Sequence, residues 1–596
     1  NSFSAAPAPP PSARKPYVFI EMAFKPRTKE RTFREQKIQK QSRFAKMKRI
    51  FFALTALTVA AVAATTTDPN ILFILTDDQD IMLDSMNATG PCKTIVSQIG
   101  GQGATFKNAF ANTPICCPSR AEITTGRLMH NTKVFDNRCG GQEFINGAEK
   151  LNVAATLKAA KPHYRTFYAG KYLNNYGTEG LGGIERIPPG WDEWYGLKGN
   201  SKYYHYEVSN QGKLEKHGGD YEKDYFTDRV ANRSLDFMRN QIKHGNPFFM
   251  TVATPASHGP NTPAPQYAET YAGMKAPRLP SYNVTGQRDK SYLMREIIPM
   301  DRNHANVSDV YFQRRWSVLR SVDDMVQRFL DTLESTKVLD NTYILFTSDH
   351  GYHLGEFGML YDKRMLYETD IRIPFLVRGP QISNGQLLDI PINHVDIAPT
   401  ILDMAGAPVP KIMDGRSWLP LVQGRGKKEK TTWRSSFMVE YSGGNPLPNM
   451  QKSNDAPTDV AQLLSMTVDV RTENDAFAGS IPVRRKSTCA ARADDESSIT
   501  GQCSCSIGRI SGNEHDISPC DGKNNTYACI RTLNGEQNTM YCEFNDPEHH
   551  VELYDLESDP YNLNNLVGQT SRNMLKKHHE SLITLQTCKG SSECFN

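Results

Sequence analysis

Residues 70–76 (NILFILT) form a short apolar run that stops abruptly at two aspartates, Asp77 and Asp78. A run of this length, apolar at every position from Ile71 to Leu75, is too short for a helix. It reads as a strand buried on both faces, as in a parallel sheet. Similar runs recur at 164–170, 247–254 (PFFMTVAT), 342–347 (TYILFT) and 373–378. Between them lie stretches with helical periodicity at 151–160, 226–243, 310–339 and 395–405. Strands alternating with helices predict an α/β fold around a mostly parallel sheet. Ligands in such sheets sit beyond the carboxyl ends of the strands, which is where Asp77, Asp78, Asp349 and His350 fall.

The chain has 596 residues and a net charge of +4. Residues 1–49 hold 13 Lys/Arg against 3 Asp/Glu, a net of +10, so residues 50–596 carry −6. A mildly acidic body argues against a nucleic-acid partner, which needs a basic footprint. Residues 1–46 read as a non-native or disordered leader. Met47-Lys48-Arg49, the apolar residues 50–62 and the small residues Ala61-Val62-Ala63 read as a secretory signal peptide over 47–64. The competing reading is a single membrane anchor with a basic tail. The run is short for a span, so no stable membrane anchor is expected.

Eight of the 12 cysteines lie between Cys489 and Cys594. In an exported chain such clusters form disulfides, whose pairing the sequence leaves open. Zinc at Cys503 and Cys505 is disfavoured by their single-residue spacing. Asn87, Asn232, Asn283, Asn306 and Asn524 each open an N-glycosylation triplet. The charged segment 424–430 (GRGKKEK) reads as a linker. It divides a catalytic domain at 68–424 from a disulfide-rich C-terminal subdomain at 431–596, with strands expected at 437–441 and 551–556.

Cys116-Cys117-Pro118-Ser119-Arg120, followed by Thr125-Gly126-Arg127, matches a C-x-P-S-R signature with its downstream T-G-R. On these residues the chain resembles the type I, formylglycine-dependent sulfatases. The resemblance implies an alkaline-phosphatase-like fold: a large mixed, mostly parallel sheet flanked by helices, then a smaller C-terminal α+β part with an antiparallel sheet. It implies that Cys116 is oxidised to formylglycine by the formylglycine-generating enzyme. As a hydrate, that aldehyde offers one hydroxyl to attack sulfur and a second to expel sulfate. It implies one Ca²⁺ per chain, held by Asp77, Asp78, Asp349, His350 and the residue at Cys116, with Mg²⁺ the alternative. It implies that Arg120 orients the hydrate and balances its charge, that Lys171 neutralises sulfate and the formylglycine oxygen, that Lys363 is the family's second active-site lysine, and that His258 binds sulfate and protonates the leaving oxygen. Many relatives carry a His two or three residues after the first lysine. Leu173 and Asn174 stand there instead, so the base for elimination is open and His130 is a candidate helper.

The segments GKYLNNYG at 170–177, PPGWDEWYGLKGNSKYYHY at 188–206 and YCEF at 541–544 are most similar to one branch of that family. It holds N-acetylglucosamine-6-sulfatases and extracellular heparan endosulfatases. Asp362-Lys363-Arg364 resembles the first subtype and Asp349-His350 the second, whose long basic insertion is missing. The expected reaction is removal of a 6-O-sulfate from a hexosamine of a sulfated glycan, in the secretory pathway, extracellular or lysosomal/vacuolar. The alternatives are a phosphonate or phosphate ester hydrolase of the same superfamily, or a catalytically inactive glycan-binding protein.

Overall fold

The computed structural model describes residues 68–295, 297–425, 432–443, 525–546 and 548–595, all within one compact unit, Thr67–Asn596. The leader, the signal segment at 47–64, most of the linker, Asn524, and Cys489, Cys503, Cys505 and Cys520 lie outside the described residues.

The strands, in chain order, are β1 (Asn70–Thr76), β2 (Ala104–Phe106), β3 (Ala109–Phe110), β4 (Arg165–Lys171), β5 (Glu193–Leu197), β6 (Glu207–Asn210), β7 (Lys213–Lys216), β8 (Phe248–Ala253), β9 (Thr342–Ser348), β10 (Phe375–Arg378), β11 (Gln386–Leu388), β12 (Ile392–Asn393), β13 (Ser436–Tyr441), β14 (Tyr527–Leu533), β15 (Asn538–Phe544) and β16 (Val551–Asp555). Ten of them make one mixed sheet in the order β11-β2-β10-β9-β1-β8-β4-β5-β6-β7. Its centre, β9-β1-β8-β4-β5, is parallel throughout. β10 pairs with β9 antiparallel, so the mixed character of the sheet begins there.

β1 is buried along its whole length because both faces of the sheet are covered. Ile71, Phe73 and Leu75 pack on one side with α2 (Val153–Ala160) and α5 (Ile397–Met404). Leu72 and Ile74 pack on the other with α3 (Phe226–His244) and α4 (Arg302–Ser335). α1 (Cys116–Thr125) ends at Gly126, whose φ of 66° supplies the left-handed turn that closes the helix and explains the glycine of the T-G-R triplet. α4 starts eight residues before the periodicity at 310 suggests. Asp301 caps it, accepting from the backbone N–H of Asn303 and His304.

β13-β14-β15-β16 form a separate antiparallel sheet. One face buries Phe437, Val439 and Tyr527 against Phe110, Ile115, Leu366 and Tyr367. The other buries Met438, Ile530 and Leu553 under α6 (Arg572–Thr587). Disulfides join Cys117–Cys139, Cys529–Cys542 and Cys588–Cys594. Among the described residues no helix is long and apolar enough to cross a membrane.

Gly170 shows how tightly the central strands meet. Its φ is 111°, and a Cβ there would lie 1.8 Å from the carbonyl oxygen of Ala253 on β8. Gly170→Ala is expected to cost on the order of 3 kcal/mol, through backbone displacement and a strained φ. Chemical denaturation checks this; a midpoint equal to that of the unsubstituted protein contradicts the close-packing argument.

Candidate active site

Parallel pairing brings the carboxyl ends of β9, β1, β8 and β4 to one edge of the sheet. Each strand delivers polar residues there, although its body is apolar. Asp77 and Asp78 follow β1, Asp349 and His350 follow β9, His258 follows β8, and Lys171 is the last residue of β4. Backbone bonds extend past the strand ends and fix these positions. The N–H of Asp77 donates to Ala256 O at 2.7 Å, and that of Asp349 to Thr76 O at 3.2 Å.

α1 points its first residue, Cys116, into this cluster. The thiol Sγ lies 3.9 Å from Asp77 Oδ1 and 3.5 Å from His350 Nε2, with no exposed surface. One turn on, Arg120 donates through Nε to Asp349 Oδ2 at 2.8 Å and through Nη1 to the Lys171 carbonyl at 2.8 Å. Its Nη2 is 3.5 Å from Asp77 Oδ1. Lys171 Nζ reaches Asp77 Oδ2 at 2.7 Å, and Lys363 Nζ reaches Asp78 Oδ2 at 2.9 Å. His350 Nε2 is 3.4 Å from Asp78 Oδ1 and 3.6 Å from Asp349 Oδ1.

The charges explain the ionisation of the groups. Burial works against the Asp77 anion, yet Lys171, His258 and Arg120 hold its carboxyl well below the usual range. Burial likewise opposes ionisation of Asp78, and Lys363, His258 and His350 together more than offset it. Burial raises Asp349, with His350 and Arg120 pulling the other way. Burial would lower His350, but Asp349 and the Cys116 sulfur push it up to about 9. The Cys116 thiol is raised by burial and drawn well below its ordinary value by Lys171 and Lys363. Burial would lower His258, and the Asp78 and Asp77 carboxylates together lift it above its ordinary value.

The structure thus brings together Cys116, Arg120, Lys171, His258, Lys363, Asp77, Asp78, Asp349 and His350. It does not bring His130 to them. Nδ1 of His130 lies 3.0 Å from Glu440 Oε1, and Nε2 lies 3.1 Å from the Cys588 carbonyl. Leu173 is buried, and the Asn174 backbone N–H donates to Cys117 Sγ. Three further residues join the site without a role read from the sequence. Ser201 donates its hydroxyl to Asp77 Oδ2. Ser119 donates to the Asp349 carbonyl, and His394 stands 3.0 Å from the Ser119 hydroxyl. Ser201 lies inside the 188–206 segment, so a signal existed; His394 has none nearby. Of the glycosylation triplets, Asn87, Asn232 and Asn306 are exposed. Asn283 is half-buried and exchanges two hydrogen bonds with the backbone of Met300.

The family model described as Sulfatase matches residues 69–407. The chain belongs to the sulfatase family. A second model, N-sulphoglucosamine sulphohydrolase, C-terminal, matches residues 355–469. The enzyme is 39% identical to N-acetylglucosamine-6-sulfatase of Homo sapiens over 539 residues, 90% of this chain and 87% of that protein. It is 40% identical to a putative extracellular sulfatase Sulf-1 homolog of Caenorhabditis elegans over 415 residues, 68% of this chain and 57% of that protein. In fold it is similar to a protein solved with its substrate D-glucosamine-2-N,6-O-disulfate. The TM-score is 0.59 at 21% identity, covering 87% of this chain and 97% of that one. This sulfatase is therefore a sulfuric ester hydrolase.

The His130–Glu440 pair gives a test with a defined sign. Burial would lower His130, but Glu440 raises it above its ordinary value. A raised folded-state value means that the pair's contribution is full below the unfolded value, near about 6.5. It fades as pH rises through the folded value. His130→Asn is expected to destabilise by on the order of 3 kcal/mol at pH 5.5, and by less at pH 9. Urea unfolding at the two pH values measures this, and a deficit that grows with pH contradicts it.

Proposed function

We propose that this sulfatase removes sulfate from the 6-O position of N-acetylglucosamine, or of a related sugar, in sulfated glycans. Its nucleophile is formylglycine made from Cys116, and one calcium ion is bound beside it. One observation carries the reading. Cys116 opens α1 at the meeting point of three buried aspartates and two buried lysines. The thiol sulfur stands where the oxygens of the modified residue would lie.

The donors fit a hard cation. With Oδ2 of Asp77 and Asp78 taken by lysines, Oδ1 of Asp78 is buried and has no hydrogen-bond partner. Asp77, Cys116, Asp349 and His350 offer ligand atoms all within 4.8 Å of one another. Three carboxylates are the oxygen-rich set that calcium takes, with His350 the single nitrogen donor. Calcium bound there supplies Lewis-acid polarisation of oxygen. Formylglycine supplies, as its hydrate, the two hydroxyls that attack on sulfur and release of sulfate require.

The chain's own residues do the rest. Lys171 and Lys363, one on each side of the aspartates, hold a sulfate group's negative charge in a site that excludes water. Arg120 keeps Asp349 and the Lys171 backbone in register through its planar fork. His258 places Nδ1 2.7 Å from the Gly259 carbonyl, which leaves Nε2 as the edge that gives a proton to the leaving oxygen. Similarity to N-acetylglucosamine-6-sulfatase supports the 6-sulfate of N-acetylglucosamine. The signal segment, the glycosylation triplets and the disulfides support passage through the secretory pathway, where the formylglycine-generating enzyme acts. We divide the chain into a catalytic part at 68–424 and a C-terminal subdomain at 431–596.

The peptide holding Cys116, from protein secreted by a eukaryotic host, is expected to be lighter by about 18 Da than its thiol form. Cys116→Ala is expected to lower kcat on glucosamine-6-sulfate at least about 10³-fold with the fold retained. Asp78→Asn is expected to weaken calcium binding at least about tenfold. An unmodified thiol at Cys116 in active protein overturns the nucleophile. Turnover of phosphonate monoesters without sulfate release overturns the substrate class.

A further inference from the structure

α4 carries two adjacent arginines with opposite fates: Arg314 is exposed, and Arg315 is buried with 2% of its surface accessible. The Arg315 guanidinium reaches three segments at once. Nη2 donates to the Asp78 carbonyl at 2.8 Å, just beyond β1. Nη1 donates to the Ser257 carbonyl at 3.4 Å, beyond β8 and one residue before His258. Its Cζ lies over the ring of Tyr352, beyond β9, 4.0 Å from the centroid, and Lys363 Nζ lies 5.7 Å from the same centroid. The counter-charge is Asp80, 2.5 Å from Nη2 and also buried.

Asp78 needs such a hold. Its φ is 62°, in the left-handed region that costs a non-glycine residue on the order of 1 kcal/mol. Its N–H donates to Asp349 Oδ1 at 3.0 Å, and its carbonyl accepts from Arg315. The backbone bonds fix where the side chain starts, and Lys363 turns the carboxylate: Oδ2 meets Lys363, and Oδ1 stands 3.4 Å from His350 with no hydrogen-bond partner. From this geometry we infer that Arg315 is a positioning residue for calcium. It clamps the loops after β1, β8 and β9 so that Asp78 presents Oδ1 to the ion. The inference rests on the calcium site proposed above.

A planar guanidinium with five donors can bond two carbonyls and a carboxylate while stacked on a ring. A lysine ammonium, a point charge, cannot span them. Arg315→Lys keeps the charge opposite Asp80 and loses the clamp. Arg315→Gln combined with Asp80→Asn removes the buried charge pair as a unit, whereas Asp80→Asn alone leaves the bonds to Asp78, Ser257 and Tyr352 in place.

The test is isothermal titration of Ca²⁺ into the full chain after metal stripping, with folding checked by circular dichroism. Arg315→Lys and the double variant are expected to weaken calcium about tenfold to a hundredfold, and Asp80→Asn by less than about threefold. Wild-type calcium affinity in folded Arg315→Lys overturns the inference. So does an equal loss in Asp80→Asn, which makes the arginine a fold element only. If the double variant fails to fold, Arg315→Lys decides. Asp78→Asn separates the two levels. If it leaves calcium affinity unchanged, the metal site itself falls. If it weakens calcium while Arg315→Lys does not, only the clamp falls.

Discussion

Three carboxylates that repel one another are held out of water within a few ångströms, and the catalytic part is arranged around that fact. Asp77, Asp78 and Asp349 are each at most 1% exposed. Isolated anions in such a place would take up protons. They stay together because three cations reach in from separate elements: Arg120 from α1, Lys171 from β4 and Lys363 from the loop after β9. The arrangement therefore depends on contacts between residues 77 and 363 that are far apart in sequence. A local error in any one strand end leaves a charge unpaired. The net attraction of each pair is small once desolvation is counted, so the ion pairs specify geometry more than they stabilise the fold.

The C-terminal sheet contributes to the same geometry from a distance. Lys290, fully buried, packs its ammonium 4.4 Å from the Phe357 ring, 4.7 Å from Tyr367 and 4.5 Å from Tyr554. Phe357 and Tyr367 bracket the loop that carries Lys363, and Tyr554 belongs to β16. Arg531 on β14 pairs with Glu368 just beyond that loop at 3.0 Å. The smaller sheet is thus a wall against which the lysine-bearing loop is set, and Glu440 of β13 pairs with His130, a few residues after α1.

Much of this was legible in the chain itself. The apolar run at 70–76 and its aspartates, the strand at 342–347 and the C-x-P-S-R signature are local patterns, and local patterns survive without a structure. The antiparallel turn of β10 was not legible, because strand direction is set by connections and neighbours rather than by composition. Nor was the start of α4 at Arg302, where a capping aspartate outweighs weak periodicity. His130 illustrates a harder limit: its place after the T-G-R triplet suggested a helper in the site, and only the fold reveals that Glu440, 310 residues on, takes its ring. Arg314 and Arg315 are indistinguishable as letters. Which of them turns inward depends on the phase of a helix against a sheet, a three-dimensional quantity.

Cys116 has no accessible surface in the folded chain. A side chain so enclosed can be altered by another enzyme only while the polypeptide is still open. On the reading proposed here, conversion of that residue runs as a race against collapse of the core around it. A molecule that wins the fold before the modification is sealed in its inert form, with nothing on its exterior to distinguish it. The active fraction of any preparation would then be a record of how its molecules were made, fixed at birth and untouched by later handling.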